Sequence, residues 1–571
     1  MLTRRDFLQV AAATAAVTGL GGRLGRAAAQ QAIGQDQLLQ FASKGQLTIL
    51  HMADCHAQLK PLYYREPSLN LGVGEARGKL PHITGSELLN AFSIVERSPH
   101  AYMLSSDDYE ALAKAYGRVG GMDRLATLVK AIRAERGPER VLLLDGGDAL
   151  QGSYTALETK GGDMVAVLRA LGVEATTGHW EFTLGAKRVT ELFGGVDRPG
   201  SSGIEFLAGN VRDTDFEEPV FPALSVFERG GVGVAVIGQA FPYTPIANPR
   251  WMIPGWSFGI REAELKRAMA AARRQGAQVV VLLSHNGFDV DRKLATRVEG
   301  IDVILSAHTH DALPQPVRVG RTLLIASGSH GKFLSRLDIE VSGGRVSDVA
   351  YALIPVLADA IAPDPDMRAL IAGIRAPHET MLKTELAHTD GLLYRRGTFA
   401  GTFDDVICDA LITQRDAEIA LSPGFRWGGT LIAGEAVTWD DVYNATAITY
   451  PAAYRSHMKG ETIRQILEDV ADNSFNPDPY LQQGGDMVRV GGMGYTINVD
   501  GAMGSRIANM HMLGSGAPIE PEKAYVVAGW GSVNEGGEGP PVWEVVAAHL
   551  KARQLLSPQP RKSVKIVRAG G

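Results

Sequence analysis

Seven apolar runs between Leu47 and Ile354 set the strongest limit on how this chain can fold. They are LTILHMAD (47–54), VLLLDGGD (141–148), FLAGNV (206–211), VGVAVIGQA (232–240), QVVVLLSHN (278–286), IDVILSAHTH (301–310) and TLLIASGSH (322–330). Their apolar residues run on without alternating, as expected of strands covered on both faces. Between them, Met122, Leu125, Val129 and Ile132, and again Met164, Val167, Leu168 and Leu171, recur at helical spacing. The alternation predicts an α/β domain with sheet strands between layers of helix.

Several of these runs end in groups able to hold a metal: Asp54 with His56, Asp148, His285, and His308 with His310. Loops at the carboxyl ends of strands form the crevice of an open α/β sheet, so groups far apart in sequence can meet there. Asp-x-His on an extended chain puts both side chains on one side and sends Cys55 to the other, as a small buried filler. His308-Thr-His310 repeats that spacing, and Asp148 in its Gly-Gly-Asp turn can bridge two ions. Two carboxylates, several imidazoles and no thiolate suit a pair of divalent ions, typically about 3.5–4 Å apart in two-metal hydrolases.

With 571 residues the chain exceeds one ordinary core. Ala362-Pro-Asp-Pro365 breaks it, a helical stretch from Met367 to about Leu386 follows, and a mixture of short strands, helices and Gly-rich turns makes a second domain. Residues 60–117, rich in Pro, Gly and Tyr, form a long insertion whose role composition does not disclose. A hydrophobic fraction of 45% and a formal net charge of -6 give no basis for nucleic-acid binding or a polybasic membrane contact. The two cysteines, Cys55 and Cys408, need not pair. Arg4-Arg5, the apolar run Val10 to Leu20 and Arg26-Ala-Ala-Ala-Gln30 read as a twin-arginine export signal over residues 1–29. That predicts a periplasmic mature chain with no membrane span.

The ordered series Asp54-x-His56, Gly147-Asp148, Gly178-His179-x-Glu181, Ser284-His285-Asn-Gly287 and Ala307-His308-Thr-His310 resembles the calcineurin-like metallophosphoesterase domain of the 5'-nucleotidase family. Met458-Lys-Gly460 leading into Ile463 to Val470, with Gly485-Asp-Met-Val-Arg489-Val-Gly-Gly492, resembles that family's C-terminal substrate domain. The resemblance implies a four-layer α/β/β/α sandwich over 30–358, a linker helix over 359–386 and a smaller α+β substrate domain over 387–571, in a monomer. It also implies one metal on Asp54, His56, Asp148 and His310, and another on Asp148, His179, His285 and His308.

One stretch departs from the family. Nucleotidases carry Gly-Asn-His-Glu-Phe-Asp, with the Asn as a ligand and the His and Asp as a catalytic dyad. Here ATTGHWEFTLG (175–185) puts His179 at the ligand, Trp180 at the dyad His and Thr183 at the dyad Asp. Losing the dyad matters for an alkoxide leaving group. A thiolate, with a parent thiol pKa of about 8.5, needs no proton to depart. Together with FPYTPIANP (241–249), SPGFRWGG (422–429) and YLQQGGDMVRVGG (480–492), these departures resemble the thiosulfohydrolases of the bacterial sulfur-oxidation pathway.

That resemblance implies hydrolysis of a cysteine S-thiosulfonate on the C-terminal arm of the carrier protein SoxYZ. A metal-bound hydroxide attacks the sulfone sulfur and sulfate is released. Arg426 is expected to grip the sulfonate and Trp180 to wall a narrow channel, with Tyr450 and Tyr495 as weaker substrate contacts. Two Mn(II) are expected, with zinc the competitor on intrinsic affinity. The alternatives are a periplasmic 5'-nucleotidase or 2',3'-cyclic phosphodiesterase, and a metal-binding module that captures an oxyanion-bearing tail without turnover.

Overall fold

The structure is a computed structural model that describes residues 34–559, 561 and 563–568; the twin-arginine segment lies outside the described residues. Two six-stranded sheets form the N-terminal domain. One runs in the order Arg345–Pro355, Phe333–Ser342, Leu47–Met52, Val141–Asp145, Ala175–Thr176, Glu205–Phe206. The other runs Val317–Val319, Thr322–Ala326, Val303–Ser306, Val279–Ser284, Val232–Gln239, Leu224–Arg229. The central pairs are parallel in both sheets.

Side-chain alternation explains why these strands read as continuous apolar runs. Leu47, Ile49, Leu142 and Leu144 of the first sheet pack against Val279, Val281, Leu283 and Leu305 of the second, forming the core between the sheets. The intervening Leu50, Met52, Val141 and Leu143 face outward under the helices Met122–Arg136 and Gly162–Leu171. Val280, Leu282 and Ile304 likewise lie under Glu262–Arg274 and Phe288–Arg297. Helix, sheet, sheet, helix is the four-layer order, and both faces of each central strand are apolar because both are buried. FLAGNV supplies only the edge strand Glu205–Phe206, because the chain then turns away: Ala208 N–H donates to Pro222 and the Asn210 amide to Ala240.

The connecting region is two helices, Pro365–Arg375 and Glu379–Leu382, where the sequence suggests one. The first is capped by Asp364, whose carboxylate accepts from Met367 N–H at 3.0 Å. It buries Met367 and Ile371 in the N-terminal core, so it is part of that domain's outer helix layer. The chain then enters the C-terminal domain at the strand Glu385–Thr389, paired with Ala436–Thr438 and Leu555–Leu556. A four-stranded sheet and the helices Thr402–Arg415, Gly460–Ser474 and Val542–Arg553 complete that α+β domain.

The 60–117 insertion joins the two domains. Val73 lies in the C-terminal core with Leu69 and Leu71 packed against it, and Tyr64 and Tyr102 share a cluster with Ile432. Backbone and side-chain bonds fasten it across the cleft: Tyr63 bridges Thr430, Tyr64 Oη donates to Arg426 O, and Thr398 Oγ1 donates to Leu69 O. Among the described residues no helix is long and apolar enough to cross a membrane.

Candidate metal centre

The strand Leu47–Met52 stops two residues short of Asp54, and the ligand pairs are not on extended chain as their spacing suggests. Asp54, His56, Asp148, His308 and His310 all have positive φ, between 44° and 76°. Left-handed backbone is uncommon outside glycine and costs about 1–3 kcal/mol per residue, a strain characteristic of functional sites. Its effect is to curl each strand end back over the sheets. His308 and His310 consequently separate: His308 joins Asp148, His179 and His285, while His310 joins Asp54, His56 and Asp148. In each group the available ligand atoms lie within 4.8 Å of one another, every member is buried, and Asp148 belongs to both.

Hydrogen bonds indicate which nitrogen is available in four of the five imidazoles; His310 faces only His56, Nε2 to Nε2 at 3.0 Å. His285 Nδ1 faces Gly146 O at 2.7 Å and His308 Nε2 faces Gln483 O at 3.2 Å. His56 Nδ1 lies 3.3 Å from Gln151 Oε1, and His179 Nε2 lies 2.9 Å from Asn248 Oδ1. Each of these rings spends one nitrogen as donor and, in its neutral form, keeps a lone pair on the other. His179 Nδ1 and His285 Nε2 are buried without a hydrogen-bond partner, and point at Asp148 Oδ2 from 3.3 and 3.1 Å. Orphaned acceptors converging on a shared carboxylate fit a pair of divalent cations.

The electrostatics agree. Burial drives His56 down to about 4 and holds His308 and His310 well below the usual imidazole range, so all three are neutral and able to ligate. Burial also disfavours charge on His285, but Asp148 and Asp54 outweigh it and push that ring up to about 10. Burial raises Asp54; for Asp148, His285 and His179 overcome burial and hold the carboxyl well below its ordinary value.

Glu181 ties the ligand loops together. Its Oε2 accepts from His179 N–H at 2.9 Å and Asp148 N–H at 3.3 Å, and its Oε1 from Ala149 and Leu150 N–H at 2.8 and 3.3 Å. Glu181 is part of the motif series but has no role assigned from sequence, and Gln151, Asn248 and Gln483, which also support the centre, are not singled out there. Three of the four lie inside the distinctive motifs, whereas Gln151 follows Asp148 with no signal of its own. Gly484 is required beside Gln483, since its φ is +69° and a Cβ there would come within 2.5 Å of His308 Nε2.

A cavity of about 170 Å³ opens over the centre, walled by Trp180, Phe241, Phe425 and Trp427. Trp180 reaches from the N-terminal domain into the C-terminal aromatic core, edge-on to Trp427 at 4.7 Å and stacked on Tyr450 at 6.1 Å. The Thr183 hydroxyl donates to Trp180 O at 2.7 Å. Arg426 lines the cavity, held by Nη1 to His308 O at 2.7 Å and facing Asp486 from 3.6 Å. Tyr450 stands behind Trp180. Tyr495 lies elsewhere: it packs fully buried in the C-terminal core with Ile463 and Met493, because its strand Met493–Asn498 turns that face inward. Cys55 and Cys408 are free, buried and outside both ligand groups.

Comparison with known proteins places this geometry. The profile of the 5'-nucleotidase C-terminal domain matches residues 386–547. The 5'-nucleotidase of Bos taurus is 24% identical over 483 residues, 76% of this chain and 81% of its own. The structure of a 5'-nucleotidase precursor from Thermus thermophilus has the same fold, with a TM-score of 0.71 at 19% identity over 91% of this chain and 99% of that one. The structure of the Thermus thermophilus sulfate thiohydrolase SoxB is similar with a TM-score of 0.88 and 36% identity over 92% of this chain and 98% of its own. With its buried two-cluster centre and two-domain architecture, the chain belongs to the SoxB family of hydrolases, within the 5'-nucleotidase and metallophosphoesterase superfamily.

Proposed function

We propose that this chain is a thiosulfohydrolase that removes the terminal sulfone from a cysteine S-thiosulfonate and releases sulfate. One observation carries the reading. The ligand set for two ions is complete, while the positions of a leaving-group acid hold Trp180, packed in an aromatic wall, and Thr183, whose hydroxyl is committed to Trp180 O. A site without that acid suits a leaving group that departs as an anion, and a persulfide does. The Thermus relative described as a sulfate thiohydrolase supports the same reading.

In this reading Asp54, His56, Asp148 and His310 hold one ion and Asp148, His179, His285 and His308 the other. When bound, a divalent pair supplies a nucleophile at neutral pH and stabilises developing oxyanion charge. The chain's own residues do the rest. Arg426 presents the guanidinium edge not bonded to His308 to the sulfonate oxygens, and the aromatic wall excludes bulk water. The S–S bond breaks with its electron pair left on the persulfide sulfur, the oxygen of water ends in sulfate, and its protons pass to solvent.

Carboxylate and imidazole ligands with no thiolate accept Mn(II), and export of the folded chain by a twin-arginine signal would let Mn(II) load away from tighter-binding zinc. The cavity over the centre would receive the end of an extended segment, the C-terminal arm of the carrier SoxYZ, met in the periplasm. A nucleotidase reading is favoured by the curated relatives. The deciding experiment supplies purified, metal-loaded protein with an S-thiosulfonated cysteine peptide and, separately, with AMP. Sulfate release far exceeding phosphate release is expected, and the reverse would install the nucleotidase reading.

A further inference from the structure

Two imidazoles of the centre face a side-chain amide, and His310 faces only His56, Nε2 to Nε2 at 3.0 Å. His285 and His308 face backbone carbonyls, which can only accept, so their donor nitrogens are determined. His56 faces Gln151, and that amide cannot reverse without losing the 2.6 Å bond from its Nε2 to Ala447 O. His179 faces Asn248. This asparagine ends the short helix Thr244–Ala247 in the loop FPYTPIANP and is 3% exposed. Its backbone N–H donates to Thr244 O at 3.0 Å. Its Oδ1 receives His179 Nε2 at 2.9 Å, while His179 Nδ1 has Asp148 Oδ2 at 3.3 Å and no other partner.

We propose that Asn248 is the positioning residue that holds His179 in the Nε2–H tautomer and so aims its Nδ1 lone pair at the second metal. Resting on the dimetal reading, this gives the histidine that stands at the family's asparagine position a partner that sets its tautomer. An asparagine ligand at position 179 binds through its amide oxygen and has no tautomer to set. A histidine there has two, and only one leaves Nδ1 free. The loop that carries Asn248 is held against the centre for this purpose. Phe241 N–H donates to Gly178 O at 3.0 Å, the Phe241 ring lies 4.3 Å from His179 and 4.1 Å from His308, and the Tyr243 hydroxyl donates to Tyr480 O across the cleft. The Asn248 Nδ2 and the Tyr450 hydroxyl of the C-terminal domain are both buried without a hydrogen-bond partner, so the bond to His179 is the one the Asn248 side chain makes.

The test is a metal titration with Mn(II) or Zn(II) against a competing chelator, reading stoichiometry and affinity without turnover. Wild type should bind two ions. Asn248→Leu, matched in size and lacking the acceptor, should weaken one ion by about 10- to 100-fold, the usual cost of an outer-shell partner. The other ion should remain near its wild-type affinity. Asn248→Asp retains an acceptor and should keep both ions. In a His179→Asn background, Asn248→Leu should cost nothing further, because the tautomer has been removed. Asn248→Ala makes the same comparison should leucine disturb folding. The proposal is overturned by wild-type affinities in both Asn248→Leu and Asn248→Ala, by equal losses in Asn248→Asp and Asn248→Leu, or by an undiminished loss in the His179→Asn background. A wild type binding fewer than two ions would instead overturn the dimetal reading beneath it.

Discussion

Replacing Glu181 by glutamine should loosen the centre without touching a ligand. The carboxylate accepts from four backbone N–H groups on the ligand loops, with the shortest bonds 2.8 Å to Ala149 and 2.9 Å to His179. Hydrogen bonds to a charged acceptor contribute about 1.5–3 kcal/mol each. Glutamine keeps one oxygen, so whichever way it turns, two of the N–H groups face an NH₂ and lose their acceptor in a buried site. Part of the cost is recovered, because burial and the neighbouring Asp148 both disfavour charge on Glu181 and raise its pKa. A net destabilisation of roughly 2–4 kcal/mol follows. At about 2 °C per kcal/mol for a large domain, metal-free Glu181→Gln should melt roughly 4–8 °C lower by calorimetry. Metal affinity should fall as well, since Asp148 and His179 are anchored by the same carboxylate. A variant whose melting temperature and metal affinity both match wild type would show that other contacts hold the loops, and the reasoning would fail.

Arg426→Ala should keep its metals and lose about 10- to 150-fold in kcat/KM, the equivalent of one charge-assisted hydrogen bond of about 1.5–3 kcal/mol; unchanged kinetics on an S-thiosulfonated peptide would make Arg426 structural. Asp148→Ala, which removes the carboxylate common to both clusters, should abolish binding of two ions, and elemental analysis showing two retained would refute the assignment. Because His285 is held up to about 10 in the metal-free chain, the ion must displace its proton. Metal affinity should therefore rise as pH rises from neutrality toward about 10 and level off above, with proton release seen by calorimetry in buffers of different ionisation enthalpy; a buffer-independent heat would contradict this. Trp180→His with Thr183→Asp should raise turnover of phosphate monoesters with poor leaving groups relative to aryl phosphates, and a folded, metal-loaded double variant with unaltered leaving-group dependence would remove the leaving-group argument.

What could be read from sequence, and what could not, follows from the range of the forces involved. Strands such as VVVLLS (279–284) were legible because burial on both faces leaves a local mark, an unbroken apolar run. Ligand identity was legible because Asp and His at strand ends are chemically conspicuous. The backbone that brings the ligands together was not, since left-handed φ at Asp54, His56, Asp148, His308 and His310 is imposed by the assembled site against local preference. Spacing alone therefore put His308 and His310 on one side, whereas the fold, in agreement with the family resemblance, assigns them to different clusters. The insertion was opaque for a related reason: Leu69, Leu71 and Val73 alternate with Asn70 and Gly72 at strand spacing yet form no strand, and the core they fill is supplied by the C-terminal domain.

Specificity in this chain resides at the domain boundary. Gln483 receives His308 Nε2, Ala447 holds the Gln151 amide that faces His56, and Trp180 is seated in the C-terminal aromatic core, so three of the contacts that shape the centre come from the second domain. Each is a directed hydrogen bond or a ring contact in a buried setting, where losing one partner strands the other at about 1–3 kcal/mol. Metal geometry and domain engagement must then favour one another, since a bond that orients a ligand also holds the domain that supplies it. A nucleotidase pattern can exchange its dyad for Trp180 only if the opposing domain offers a socket for the indole. Phe425, Trp427 and Tyr450 are that socket; the first two lie in SPGFRWGG and all three are in the C-terminal domain, hundreds of residues from the exchange they accommodate.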